Sequence, residues 1–463
     1  MSSSEISAPR PSLIALTWPL FAELVLGLLV GVAGLWLASR VSDTASGAFA
    51  LSNHVQASFF LLFRIISLGV SVVITQNLGA GNRAGADEIA RASLGASTWL
   101  GLGAAITVTV FAAPLLRALN APPDVVPLAT PYLQLLSIAL ALDAFNASMG
   151  AVMRAHMHTR DTLLNMVAMH SLHLAVCLPL MRGIGPLPPL GLAGFAVAAA
   201  LSRAFGIAFH LLLWRWRLKL VPRAHDWWRM RWKRLAPVLH IGLPGAAENI
   251  VYRMAMLVTV ALVARMGADA LAVHSYTMQI MFFILVFGMA VGFASEILVG
   301  HLVGARKLHE AHRVVRKSLR WGLLVSSTAS LMAALTAPWT LQLFTSDPHI
   351  IRQGTTLLWI AVLLEPGRTF NLVVINALRA TGDARFPVVA GAASMIFVMA
   401  GGAWLLGVVF NLGLVGVWIA YAADEWVRGL IMCARWWQRG WVPAARATHW
   451  RVTRQRLALA APR

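Results

Sequence analysis

The sequence predicts an all-α polytopic membrane protein, with twelve transmembrane helices in two pseudo-symmetric six-helix bundles. Three observations predict it. Of 463 residues, 59% are hydrophobic and only 12% charged, against ~45–50% and ~25% in a soluble globular chain. The apolar residues fall into twelve runs separated by polar segments. The second half of the chain repeats the first. Twelve spans of ~20–25 residues would use roughly 60% of this length. The same composition excludes an ordinary soluble enzyme, a disordered chain and collagen.

In chain order the first six spans are expected near 12–39, 46–77, 92–115, 125–153, 161–181 and 189–214. The second six are expected near 237–264, 271–302, 319–344, 352–378, 386–410 and 413–435. Several runs are longer than a single bilayer crossing needs, so tilt, kinks or cytoplasmic extensions follow. The domain plan is an N-terminal lobe (1–214), a basic linker (215–236), a C-terminal lobe (237–437) and a basic tail (438–463). Met1–Pro11 is short and polar, and the first apolar run is too long for a cleaved signal, so it is expected to stay as the first span.

A net charge of +20 invites a nucleic-acid reading, which the residues reject. Only four of the 38 basic residues are Lys, and the Arg residues sit at the ends of apolar runs. The segments assigned to one side, from Arg10 through Arg215–Arg234 and Arg306–Arg320 to the C-terminus, hold 29 of them. The other side holds five: Arg40, Arg117, Arg182, Arg265 and Arg352. That asymmetry places both termini in the cytoplasm. The linker interleaves Trp with Arg (Trp214-Arg215-Trp216-Arg217, then Trp227 to Arg234), which suits the membrane interface and anionic headgroups. An interfacial amphipathic linker is its plain reading. Cys177 and Cys433 lie in apolar stretches without metal-ligand spacing.

The halves align at a fixed offset of 225 residues, with a two-residue slip between that pairs Gln56 with Gln279. Pro19 matches Pro244, Glu23 Glu248, Arg40 Arg265, Asn146 Asn371, Arg154 Arg379 and Arg203 Arg428. Six spans is an even number, so the repeat is parallel, about an axis along the membrane normal. Such duplications are typical of secondary transporters, in which two bundles rock around a central cavity.

Ionisable residues inside spans narrow the site. Seven acids fall there: Glu23, Asp143, Glu248, Glu296, Glu365, Asp424 and Glu425. Four bases do so clearly, Arg64, Arg203, Arg253 and Arg368, with Arg428 at the border. Each costs at least ~2.5–3.5 kcal/mol at mid-membrane unless paired or wet. Glu248, eleven residues into its span, lies about 16 Å deep at ~1.5 Å per residue. The C-terminal half carries five of the acids, which points to a proton or cation site there. Glu248, Glu365, Asp424 and Glu425 are therefore the candidate coupling carboxylates, with Asn371 supplying an amide oxygen for sodium. Glu23, Asp143 and Glu296 are secondary candidates. Arg253, Arg368, Arg428 and Arg64 are candidate ion-pair partners. Glu365 and Arg368 (i, i+3) and Asp424 and Arg428 (i, i+4) can neutralise each other on one helix face. Glu248 and Arg253 (i, i+5) face each other less well, so Glu248 is expected to be the freer carboxylate. Pro19 and Pro244, four residues before Glu23 and Glu248, are candidate hinges.

No Gly-Lys dipeptide occurs, so there is no phosphate-binding loop, and HExxH and GxSxG are absent. No nucleotide, cofactor or metal beyond possible Na+ is expected. The scattered membrane histidines read as hydrogen-bonded core residues.

Three strings carry a family resemblance over nearly the whole chain. They are Gln76-Asn77-Leu78-Gly79-Ala80-Gly81-Asn82-Arg83, Asn376-Ala377-Leu378-Arg379-Ala380-Thr381-Gly382-Asp383-Ala384-Arg385-Phe386-Pro387 with the preceding Phe370-Asn371, and Gly413-Leu414-Val415-Gly416-Val417-Trp418-Ile419-Ala420. With the length and the 6+6 duplication, the chain resembles the multidrug and toxic compound extrusion (MATE) family. The resemblance implies a bacterial inner-membrane antiporter that exports organic, cationic or amphiphilic compounds in exchange for H+ or Na+ through a V-shaped cavity. It also implies a small organic substrate and membrane lipids as partners, and we expect a monomer that binds no nucleic acid. The chain departs from the family where many members carry Asp in the first span, a position held here by Gly34. Glu248 also stands only four residues after Pro244, with Tyr252 at the position where many members have the seventh-span Glu. The alternative on the same fold is a flippase for a lipid-linked or amphiphilic molecule, which a basic cavity would favour. A membrane-embedded enzyme would need a convergent His-and-acid cluster that the sequence does not offer.

Overall fold

The structure, a computed structural model, describes residues 11–183 and 188–460. The stretch 1–10 and the basic residues Arg10 and Arg463 lie outside them. Among the described residues, twelve long helices form two bundles: α1 (Leu13–Ser39), α2 (Asp43–Gly79), α3 (Arg83–Val110), α4 (Val126–Ala155), α5 (Thr159–Arg182) and α6 (Leu192–Leu213), then α7 (Trp232–Arg265), α8 (Ala268–Gly304), α9 (Leu308–Leu335), α10 (Pro348–Thr381), α11 (Arg385–Val409) and α12 (Gly413–Trp437). A last helix, α13 (Val442–Ala460), follows.

Local chemistry sets the helix starts. Ser12, Ser42 and Asn82 accept hydrogen bonds from the amides of Ala15, Ala45 and Gly85 at 3.0–3.2 Å, which satisfies first-turn donors. Gly382 turns back at φ +95° to end α10, a backbone region that glycine enters without steric cost. The expected third and ninth spans start later than the observed helices. α3 and α9 begin at the polar, basic stretches around Arg83 and Leu308, and each breaks before a short helix, Ala112–Ala118 or Ala337–Gln342. Those breaks fall at matching positions of the two halves, so the repeat extends to irregular backbone. α11 differs from its repeat mate α5 in two wider π-type stretches, Met395–Ala400 and Leu405–Val409.

The lobes meet where α2 and α8 end and α7 begins, at the end that carries the basic connections. The pseudo-twofold axis runs between α2 and α8, because residues there touch their own repeat mates. Ser71 Oγ donates to Glu296 Oε1 at 3.4 Å, a pair 225 residues apart. A Cβ added to Gly300 would lie 2.1 Å from Oγ1 of its mate Thr75. Gly79 closes on the carbonyl of His301 and Gly304 on that of Gln76, two contacts that the repeat exchanges. On either side, α7 packs on α2 and α1 packs on α8. Leu13, Leu16 and Leu20 of α1 join Ala290, Ala294 and Ile297 of α8 in one apolar cluster.

The linker and α13 are ordered against this end. Trp214 is fully buried and Trp227 lies 5.4 Å from Phe145, ring to ring, so only part of the Trp-Arg pattern faces outward. Trp216, Trp228 and Trp232 are the exposed ones. Helix α13 crosses both lobes. Arg451 donates to Gln76 Oε1 at 3.1 Å, and Thr448 donates to the carbonyl of Thr381 at 3.2 Å.

Candidate substrate cavity and ion-pair network

Each lobe holds one ion pair at matching positions. Arg154 on α4 binds Glu23 on α1 at 3.3 Å, and Arg379 on α10 binds Glu248 on α7. Both pairs span 131 residues, and the repeat relates one to the other. This corrects the expectation that Glu248 is a free carboxylate. Five residues along a helix is about 140° of rotation, so Arg253 points away from Glu248. The partner comes instead from α10. Arg253 is exposed and forms no ion pair among the described residues, so it is not the structural partner expected of it.

The C-terminal lobe then gathers five charged groups in its core. Arg368 binds Glu365 one turn earlier on α10, and its Nε lies 3.2 Å from Glu425 Oε1 on α12. Arg428 reaches Asp424 at 2.7 Å and Glu425 at 3.0 Å. Asn371 Nδ2 donates to Glu425 Oε2 at 3.1 Å, and Ser394 Oγ on α11 donates to Asp424 Oδ1 at 2.7 Å. Glu365 and Asp424 are essentially inaccessible, at 0% and 1% exposure. The neutralising pairs anticipated on single helix faces do form, and Glu425 ties them into one network. Gly391 on α11 stands between this network and Glu248, its added Cβ falling 3.9 Å from Glu248 and 4.0 Å from Arg428.

The N-terminal lobe does something different with the same places. Asp143 pairs with Arg203 at 3.5 Å, and both remain partly exposed. They line a cavity of about 470 Å³ against the lobe interface, together with Glu23, Arg64, Arg154 and Glu296. Met166, Met169 and Phe293 give it apolar walls. Arg64 was expected to be an ion-pair partner. It lines the cavity instead, with no carboxylate bound to it among the described residues. The acid excess expected of the C-terminal half is real, but Glu365, Asp424 and Glu425 are sealed away from this cavity. Glu296 alone of the five C-terminal acids lines it, and its charged lining is balanced at three acids and three bases. Pro19 and Pro244 lie inside continuous helices beside the lobe interface. Sequence reasoning missed Arg154, Arg379, Ser71 and Ser394. The signal for the two arginines was available, since the repeat keeps both members of each pair, Glu23 with Glu248 and Arg154 with Arg379.

Two duplicated six-helix lobes, joined at one end and enclosing charged groups that face a cavity, define a membrane transporter rather than an enzyme. The MatE family model matches residues 19–178 and 244–404, once in each lobe and in step with the repeat. The chain belongs to this family, the MATE transporters, and is a multi-pass secondary transporter that exports compounds. It is 33% identical over 431 residues to a Bacillus subtilis protein described as "Uncharacterized transporter YisQ", covering 93% of this chain and 95% of that one. It is 26% identical over 465 residues to the "Probable multidrug resistance protein NorM" of Thermotoga maritima, covering 98% and 97%. A crystal structure of MATE in the bent conformation superposes with a TM-score of 0.85 at 21% identity, over 94% of this chain and 96% of the other.

Proposed function

We propose that the chain is a proton-coupled antiporter that exports small organic compounds by rocking its lobes about the α2–α8 contact, and that the C-lobe network takes up the coupling proton. The observation that carries this is a charge count. Glu365, Asp424 and Glu425 face only Arg368 and Arg428. With all five ionised, the closed network holds one uncompensated negative charge, and the effective cost of an unpaired buried ion is several kcal/mol. One bound proton removes it. The proton can drive the cycle only if the two lobe arrangements bind it with different affinity, which opening the network to water supplies. Sodium is disfavoured because a hard cation needs several convergent free oxygens. Among the network's side-chain oxygens, only Glu365 Oε2 and Asn371 Oδ1 lack a hydrogen-bond partner.

The basic end of the bundle is cytoplasmic on this reading, by the excess of Arg. The lobes are closed there, so the arrangement is outward-open, in a bacterial inner membrane with both termini inside. Pro19 and Pro244 are the flexing points of α1 and α7.

Everted vesicles test the proposal, with a pH gradient and a sodium gradient imposed separately on wild type, Glu365→Gln and Glu425→Gln. The pH gradient alone is expected to drive uptake of a fluorescent organic dye, and each substitution to lower the rate by about ten-fold or more. Dye binding to the purified variants should stay near the wild-type level. Uptake driven by sodium alone, or wild-type rates in both variants, would overturn the assignment.

A further inference from the structure

The N-lobe cavity, at about 470 Å³, falls within the ~300–1,000 Å³ range of small-molecule sites. Four of its six charges are already matched, Glu23 with Arg154 and Asp143 with Arg203. Two are not. Arg64 makes no ion pair and no side-chain hydrogen bond among the described residues. Glu296, 4% exposed, accepts only from Ser71 through Oε1, and its Oε2 has no partner. Glu296 has Arg379, Arg64 and Arg154 as charged neighbours. Arg379 and Arg154 are held by Glu248 and Glu23, and Arg64 does not join Glu296 in an ion pair. Helix geometry accounts for that. Arg64 lies seven residues before Ser71 on α2, two turns or about 10 Å of axial rise, and Ser71 is where Glu296 is held. Ser67 and Leu68, between them on the same helix, also line the cavity.

We propose that this cavity selects a zwitterionic organic substrate, whose anionic group meets Arg64 and whose cationic group, several ångströms away, meets Glu296. The inference rests on the transporter reading above and names its substrate class. A simple cation would satisfy Glu296 while carrying its charge toward Arg64, and a simple anion would do the reverse. Only a ligand with both charges leaves neither protein group unpaired in a partly desolvated site, and an unpaired buried charge is where discrimination is strongest. Among the described residues the arrangement exists once. The repeat mate of Arg64 is Met289, and that of Glu296 is Ser71. Glu296 stands on the lobe axis, so the cationic end of the substrate touches the surface about which the lobes move.

Three dyes on one xanthene skeleton test this: rhodamine 110, a zwitterion; rhodamine 123, its cationic methyl ester; and fluorescein, which lacks the cationic nitrogen. Binding would be read by fluorescence polarisation on the full-length protein in lipid nanodiscs. Rhodamine 110 is expected to bind about ten-fold more tightly than either relative. Arg64→Gln should lower its affinity to that of rhodamine 123 without weakening rhodamine 123, and Glu296→Gln should lower it to that of fluorescein. Arg64→Lys should retain the preference for the zwitterion. Rhodamine 123 binding as tightly as rhodamine 110 in the wild type, or an unchanged ratio in Arg64→Gln, overturns the proposal. If the variants do not fold, the wild-type ranking decides. Gradient-driven export of rhodamine 123 without zwitterion preference would leave the antiporter reading standing and remove this one. The expected ranking without gradient-driven export of any dye would do the opposite.

Discussion

The two lobes descend from one repeat, yet they treat equivalent core positions in opposite ways. Arg203 and Arg428 are mates, as are Asn146 and Asn371. Around Arg203 the N-terminal lobe places one carboxylate, Asp143, and leaves the pair open to a cavity. Around Arg428 the C-terminal lobe places Asp424 and Glu425 where its partner has Ala199 and Ala200, Glu365 in place of Leu140, and Arg368 in place of Asp143. The result is closed to solvent. What stayed the same is one pair, Glu23–Arg154 and Glu248–Arg379, which ties the first helix of each repeat to the fourth. Symmetry is kept in the scaffold. It is broken where one lobe opens a charged cavity and the other closes its charges away from water.

The sharpest way to break this comparison is to remove the shared arginine from each side. Arg428→Ala leaves three carboxylates facing Arg368 alone, and a broken buried pair costs about 3–5 kcal/mol. Arg203→Ala uncovers one partly hydrated carboxylate, nearer about 1–3 kcal/mol. Thermal unfolding in detergent ranks them, and equal losses would mean that the C-lobe network is not the more desolvated site. Next comes the exchange of a single position. Leu140→Glu puts a carboxylate into the N-lobe core at a cost of about 2.5–3.5 kcal/mol, lowering the yield of folded protein. Glu365→Leu leaves two acids against two bases, with Glu425 still on Arg368, so stability should stay near the wild-type value while pH-driven transport is lost. Glu365→Leu retaining pH-driven transport would remove the third carboxylate from the coupling account.

The axis between the lobes gives a smaller effect. Gly300→Ala pushes a methyl group against Thr75, and such overpacking costs about 1–3 kcal/mol in this arrangement. The population should shift toward a state parted at the basic end. Spin labels at the exposed positions Ala84 and Lys307 would report a longer distance by pulsed electron resonance; an unchanged distribution would mean that α2 and α8 accommodate the methyl without separating. The smallest effect is expected from Arg451→Ala. It removes one hydrogen bond from α13 to Gln76, worth about 0.5–1.5 kcal/mol, and should leave the dye ranking unchanged.

Much of this was legible in the chain itself. Apolar runs of membrane length, the one-sided distribution of Arg and the internal repeat are local or periodic properties, and each constrains the fold without any knowledge of contacts. The i, i+3 and i, i+4 pairs Glu365–Arg368 and Asp424–Arg428 were equally readable, because helix geometry alone brings them together. Tertiary structure decided the rest. Glu248 met Arg379 rather than Arg253, Glu425 joined two helices into one network, and Arg64 was left unmatched, all through approaches between segments far apart in sequence. Composition set how much acid each half holds. Which acids are sealed and which line a cavity depends on how helices pack across the bundle, since desolvation is a property of a place and not of a residue.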